Sequence, residues 1–289
     1  MKLLLENGAK VNADGGKYGN ALQAASAEGN EAIVKLLLEN GAEVNAEGGE
    51  YGNALQAASN NGNEAIVKLL LENGAEVNAK GGRYYGNALH AASLAYRGNE
   101  AIVKLLLENG AEVNAGGGEY GYALQAASHR GNEAIVKLLL KNGAEVNADG
   151  GMCGNALQAA SASAEGNEAI VTLLVKNGAE VNAEGGEYGY ALQAASYNGN
   201  EAIVKLLLEN GAEVNAEGGW YGYALQTASY RGNEAIVKLL LENGAVVNAE
   251  GGKYGYALQA ASYRGNEAIV KQLLKNGAEV NRVVHGSHS

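Results

Sequence analysis

The chain has 289 residues, 43 of them glycine and none proline or phenylalanine, and a formal net charge of −11. That acidity argues against a general binder of nucleic acid or anionic membrane, which needs a basic face. No run of about 18 apolar residues is present to span a bilayer, and Met1–Leu5 carries a three-leucine run without a cleavage site. The single cysteine, Cys153, excludes a disulfide framework, which with the lack of Asn-X-Ser/Thr sequons suits a cytoplasmic protein.

A Val-Asn motif then recurs along the chain, its valine at 11, 44, 77, 113, 146, 181, 214, 247 and 280. The spacings are 33, 33, 36, 33, 35, 33, 33 and 33 residues. A fixed period of this size marks a solenoid in which each unit touches only its neighbours.

The stretch 47–79 represents one unit. Residues 47–52 (Glu-Gly-Gly-Glu-Tyr-Gly) form a projecting turn. Asn53 is placed to cap a short helix over 53–59, which Gly62 ends. Asn63 is placed to cap a second helix, Glu64 to Asn73, and Gly74 supplies the positive φ beyond it. Ala65, Ile66, Val67, Leu69, Leu70 and Leu71 make that helix apolar around most of its circumference. This predicts contact with its partner helix and with both adjacent units. Glu64, Lys68 and Glu72 form an exposed i, i+4 line, and Val77 is expected to reach back into the core.

Turn, short helix, long helix and the closing Leu-Leu-Leu-Glu-Asn-Gly-Ala-Glu-Val-Asn-Ala of 69–79 resemble the ankyrin repeat. The resemblance implies an all-α solenoid of helix-turn-helix units with projecting turns. It parses as a truncated half repeat over 1–13, then eight repeats at 14–46, 47–79, 80–115, 116–148, 149–183, 184–216, 217–249 and 250–282. A tail over 283–289 reads as vector-derived. The family's Thr-Pro-Leu-His start is replaced by Asn-Ala-Leu-Gln or Tyr-Ala-Leu-Gln, and only His90 keeps the histidine. Gln23, Gln56, Gln125, Gln158, Gln193, Gln226 and Gln259 are the expected substitutes for its loop ties. The Gly-Gly-X-Tyr-Gly-Asn-Ala-Leu-Gln-Ala-Ala-Ser form is similar to ankyrin arrays of filamentous fungi, which often follow NACHT-type domains.

The units differ most at the end of the short helix, which ankyrin-like stacking directs to the concave groove. Tyr96-Arg97, His129-Arg130, Tyr197-Asn198, Tyr230-Arg231 and Tyr263-Arg264 occupy it, and tyrosine and arginine are enriched at binding hot spots. The candidate partner-binding residues are therefore Tyr96, Arg97, His129, Arg130, Tyr197, Tyr230, Arg231, Tyr263 and Arg264, with Trp220 at a turn tip. Glu217 and Glu250 are expected beside them, and the side chains of the groove are expected to be exposed. Trp220 reads either as an anchor or as a ring lying across Tyr221. A second series, Tyr18, Tyr51, Tyr85, Tyr120, Tyr188, Tyr221 and Tyr254, reads as a structural stacking ladder in the turns. Tyr122, Tyr190, Tyr223 and Tyr256 replace an asparagine cap and either pack on that ladder or widen the binding face.

The units at 80–115 and 149–183 carry insertions, around Tyr84–Tyr85 and Leu94–Ala95 and in 162–165. The latter unit also has Met152-Cys153 in place of the usual tyrosine, with Thr172 and Val175 interrupting its second helix. No His or Cys pair has helical metal-ligand spacing, and the glycine-rich turns lack a Gly-Lys-Ser/Thr phosphate loop. The reading is a non-catalytic module without cofactor or metal that binds a protein or peptide, with no nucleic acid and no membrane. The alternative is a structural or engineered scaffold without a ligand. Apolar Leu3, Leu4, Leu5, Ile269, Val270, Leu273 and Leu274 in the end units also predict end-to-end self-association.

Overall fold

A computed structural model describes residues 10–82, 85–95, 99–163 and 167–280. Its helices come in short–long pairs, and the chain divides into two compact units at Glu145/Val146. In the first unit the pairs are α1 (Ala21–Ala27) and α2 (Glu31–Glu39), α3 (Ala54–Asn61) and α4 (Glu64–Glu72), α5 (Ala88–Leu94) and α6 (Glu100–Glu108), α7 (Ala123–Arg130) and α8 (Glu133–Lys141). The second holds α9 (Ala156–Ser161) and α10 (Glu168–Lys176), α11 (Ala191–Asn198) and α12 (Glu201–Glu209), α13 (Ala224–Arg231) and α14 (Glu234–Glu242), α15 (Ala257–Arg264) and α16 (Glu267–Lys275). Within each unit, successive short helices pack on one another and successive long helices form a second layer.

Capping explains where the short helices that follow an asparagine begin. Asn53 Oδ1 accepts from the Gln56 N–H at 2.9 Å while Gln56 Oε1 accepts from the Asn53 N–H at 3.0 Å, a reciprocal capping box. Asn20 and Asn155 repeat it with Gln23 and Gln158. The core is Leu55, Ala57 and Ala58 of the short helix against Ile66, Val67 and Leu70 of the long one, all essentially inaccessible, and their counterparts, of which Ile33, Leu258 and Val270 in the end repeats are half-buried. The apolar face of the long helix is narrower than its sequence suggests. Leu69 and Leu71 are half-buried and Ala65 is exposed, because only one stripe meets the short helices. Thr172 and Val175 do not interrupt α10, which keeps its nine residues; both side chains are only half-buried, so they weaken its propensity without opening the core.

Side-chain amides tie each repeat to the next. Gln23 Nε2 donates to Ala46 O at 2.9 Å and Gly52 O at 3.1 Å, and Gln193 and Gln226 do the same one and two repeats further into the second unit. The expected substitution of glutamine for the histidine tie is thus present. The Val-Asn motif works differently from expectation. Val77 is half-buried and Val280 exposed, whereas the asparagine is the connector. Asn45 Nδ2 donates to Gly74 O at 3.0 Å and its Oδ1 accepts from the Glu76 N–H at 2.9 Å. Asn182 and Asn215 repeat this bridge to the following repeat. The asparagine before the long helix also departs from its expected role. Asn63 caps Ile66, but Asn200, Asn233 and Asn266 make no side-chain cap. Their amides donate backwards instead, to Ser163, Ser196 and Ser229 carbonyls at 2.8, 2.8 and 2.9 Å. A buried carbonyl without a partner costs more than a helix N–H that water can reach, which favours this use.

The turns are small hairpins closed by paired glycines, such as Gly185 with Gly189 and Gly218 with Gly222. Successive hairpins touch backbone to backbone. A Cβ on Gly219, at φ +65, would lie 2.3 Å from the Tyr188 carbonyl carbon, so only glycine fits. Tip amides join them: Glu187 N–H donates to Met152 O, Trp220 N–H to Glu187 O and Lys253 N–H to Trp220 O, at 3.0, 3.3 and 3.0 Å.

Candidate interaction surface

Short-helix ends and turn tips lie on the same edge of the second unit, and their side chains interleave there. Tyr188, Tyr221 and Tyr254 come from the turns, and Tyr197, Tyr230 and Tyr263 from the ends of α11, α13 and α15. Ring centroids run Tyr188–Tyr197 5.2 Å, Tyr197–Tyr221 5.3 Å, Tyr221–Tyr230 5.1 Å, Tyr230–Tyr254 4.7 Å and Tyr254–Tyr263 5.1 Å. These are tilted or stacked contacts of the favourable kind. In the first unit the ends of α1 and α3 carry Ala27 and Asn60, and the turn tyrosines beside them stack in a simple ladder, Tyr18–Tyr51 at 6.3 Å and Tyr51–Tyr85 at 5.7 Å. The turn tyrosines are therefore the expected stacking ladder in one unit. In the other they also form half of the candidate surface, joined to the helix-end series from which their near-constancy in sequence sets them apart. A constant nine-residue offset (188/197, 221/230, 254/263) was the available signal.

Cations lie on this stripe. The Arg231 guanidinium sits 4.4 Å from the Tyr197 ring centroid, and its Nε donates to Tyr197 O at 2.8 Å. Arg264 sits 4.9 Å from Tyr230, and Lys253 Nζ lies 5.2 Å from Trp220 and 5.6 Å from Tyr254. A hydrogen bond with Tyr230 pushes the Tyr254 hydroxyl up to about 12, and the same bond draws Tyr230 down. Burial raises Tyr221, and its hydrogen bond with Tyr197 adds to the shift.

Exposure is uneven. Tyr263 and Trp220 are 70% and 62% exposed, but Tyr197 and Tyr230 are half-buried by their neighbours, contrary to the expectation of an exposed groove. Glu217 and Glu250 are engaged by tyrosines: Tyr223 Oη donates to Glu217 at 3.1 Å and Tyr256 Oη to Glu250 at 2.7 Å. These contacts give Tyr223 and Tyr256, in the asparagine-cap position, a partner in the turn acid of their own repeat, whereas Tyr122 has Gly116 at that place. Trp220, with Glu187, Tyr188, Tyr197 and Tyr221, walls a recess of about 420 Å³. In the first unit His129 packs on Tyr120 at 4.9 Å and Arg130 is exposed. Tyr96 and Arg97 lie outside the described residues, as do Tyr84 of one insertion and Ala164 and Glu165 of the other.

Among the described residues no group of three His, Cys, Asp or Glu side chains is arranged to hold a metal ion. No helix there is long and apolar enough to cross a membrane. A family model described as ankyrin repeats (3 copies) matches residues 46–117, 89–185, 124–218 and 191–283, and one described as ankyrin repeat matches 20–48. No curated protein gives a significant match to the chain.

Proposed function

Because the chain belongs to the ankyrin-repeat family, we propose that it is a non-catalytic module that binds a protein or peptide through the tyrosine–arginine stripe over 187–264. The observation that carries this is the exposure of Trp220 and Tyr263 on a stripe whose arginines lie over neighbouring rings. Large aromatic groups with few rotamers and fixed guanidinium groups bind with little ordering cost. Arg231 and Arg264 would meet carboxylates of the partner, and the rings its apolar or aromatic side chains. His129 and Arg130, with Tyr96 and Arg97, would extend recognition in the first unit. The form of the repeats further supports a role as the sensing segment of a fungal immune-receptor-like protein acting in the cytoplasm.

The test is partner titration with Trp220→Ala plus Tyr263→Ala, both exposed, against Glu234→Ala plus Lys238→Ala on α14. Each anchor is expected to contribute about 2 kcal/mol, hence about thirtyfold in affinity. Equal losses in both pairs, or loss only in the α14 pair, would place the surface elsewhere.

A further inference from the structure

The recess beside Trp220 has a composition that selects a ligand class. Four of its five lining residues are aromatic, Tyr188, Tyr197, Trp220 and Tyr221, and the fifth, Glu187, carries the only formal charge on its wall. Aromatic faces are the negative regions of the ring quadrupole, so several rings around one volume plus a carboxylate favour a cation. The chain shows this preference in its own side chains, since Arg231, Arg264 and Lys253 all lie over rings of the stripe. Arg231 is tied through Nε to Tyr197 O, and neither it nor Lys253 lines the recess. One level further along, Lys253 occupies the turn-tip position, whereas the tips flanking the recess are Glu187 and Trp220.

We propose that this recess binds the quaternary ammonium of a trimethylated lysine presented by the partner peptide. A quaternary ammonium is less strongly hydrated than a primary one and needs no hydrogen-bond acceptors, so a wall with one carboxylate and four rings suits it better than an unmodified lysine. The volume of about 420 Å³ also admits the methylated head with part of its alkyl stem. The net charge of −11 favours approach of a cation. The inference rests on the stripe being an interaction surface and names the chemistry at one of its subsites.

Trp220 is the only tryptophan in the chain, so its fluorescence reports on this recess alone. The full chain is titrated with Nα-acetyl-Nε-trimethyllysine methylamide. Parallel titrations use the neutral tert-butyl carbon isostere, the unmethylated lysine derivative, choline and the corresponding glutamate derivative. Saturable change with the trimethyllysine probe is expected, with the neutral isostere weaker by about tenfold and Glu187→Gln weakening the cation by about threefold. Equal binding of charged and neutral isosteres, no saturable change with any probe, or preference for the glutamate derivative would overturn the cation site. Tighter binding of choline than of the lysine derivative would overturn the peptide occupant. Partner binding that survives Glu187→Gln and ignores methylation would leave the interaction surface standing and remove only this subsite.

Discussion

His90 stands where other repeats have a glutamine, and that difference should make one part of the first unit acid-sensitive. The side chain is 3% exposed, with Nδ1 2.9 Å from Tyr85 O. Burial lowers its pKa from 6.5 to about 4, against the opposing pull of the Tyr85 and Ala115 carbonyls. The unfolded chain therefore takes up a proton near pH 6.5 that the folded chain refuses until about pH 4. The stability held above pH 6.5 is lost as pH falls towards 4, by about 2 kcal/mol at pH 5 and about 3 kcal/mol in full. His90→Gln should remove this loss without disturbing the stack, because Gln56 in the preceding repeat already reaches Gly81 and Gly86 carbonyls at 3.2 and 3.0 Å. Urea unfolding of both proteins from pH 7.5 to 5.0, read with hydrogen exchange of the α5 amides, isolates the effect, since every other titrating group is common to the two. Parallel stability profiles, or a His90 pKa near 6.5 by NMR titration, would refute the reasoning.

Tyr230→Ala should lower stability by about 2 kcal/mol, because that ring meets Tyr221, Tyr254 and Tyr263 and carries Arg264; Trp220→Ala should stay within about 0.5 kcal/mol, and paired thermal melts compare them. Gly222→Ala should cost more than about 2 kcal/mol, since φ is +79 and the new Cβ would lie 2.7 Å from Gly252 N, while Gly244→Ala, at φ +86 with open space around it, should cost about 1 kcal/mol. Equal losses at the two glycines in denaturant titrations would show that contact between hairpins is unimportant. Among the long helices of the second unit, α10 should exchange its amides fastest, because Thr172 and Val175 lower its propensity and Cys153 interrupts the tyrosine series beside it; exchange as slow as in α12 and α14 would contradict this.

Much of the fold could be read directly from the sequence, because helix periodicity, asparagine caps and glycine stops act within a few residues of one another. Asn53, Gly62 and Gly74 stand where short-range rules place them. The asparagines of the Val-Asn motif and of the Gly-Asn-Glu turn could not be assigned that way. Their partners, such as Gly74 for Asn45 and Ser196 for Asn233, lie 29 and 37 residues away, and a local cap was the nearer choice. The candidate surface was legible in its variable half. Its other half looked structural because the turn tyrosines barely change between repeats, and only the three-dimensional interleaving joins Tyr221 to both Tyr197 and Tyr230.

The tyrosines at the cap position argue that this interleaving serves more than stability. Where Asn53 begins α3, the capping box satisfies Gln56 Oε1. Where Tyr190 and Tyr223 begin α11 and α13, no side-chain cap forms, and Gln193 Oε1 and Gln226 Oε1 are buried without a protein partner. A lost cap costs about 1 kcal/mol and a buried orphan acceptor about 1–3 kcal/mol. The exposed bond from Tyr223 to Glu217 returns only part of that. Yet α7, α11, α13 and α15, which have tyrosine at the cap position, all carry an aromatic residue one before their last (His129, Tyr197, Tyr230, Tyr263), while α1 and α3, capped by asparagine, carry Ala27 and Asn60 at the corresponding positions. The unit with Asn87 and Tyr96 is the exception. Local rules broken at a net cost, in the same repeats that carry the ring stripe, are what a surface shaped for a ligand leaves in a stacked array.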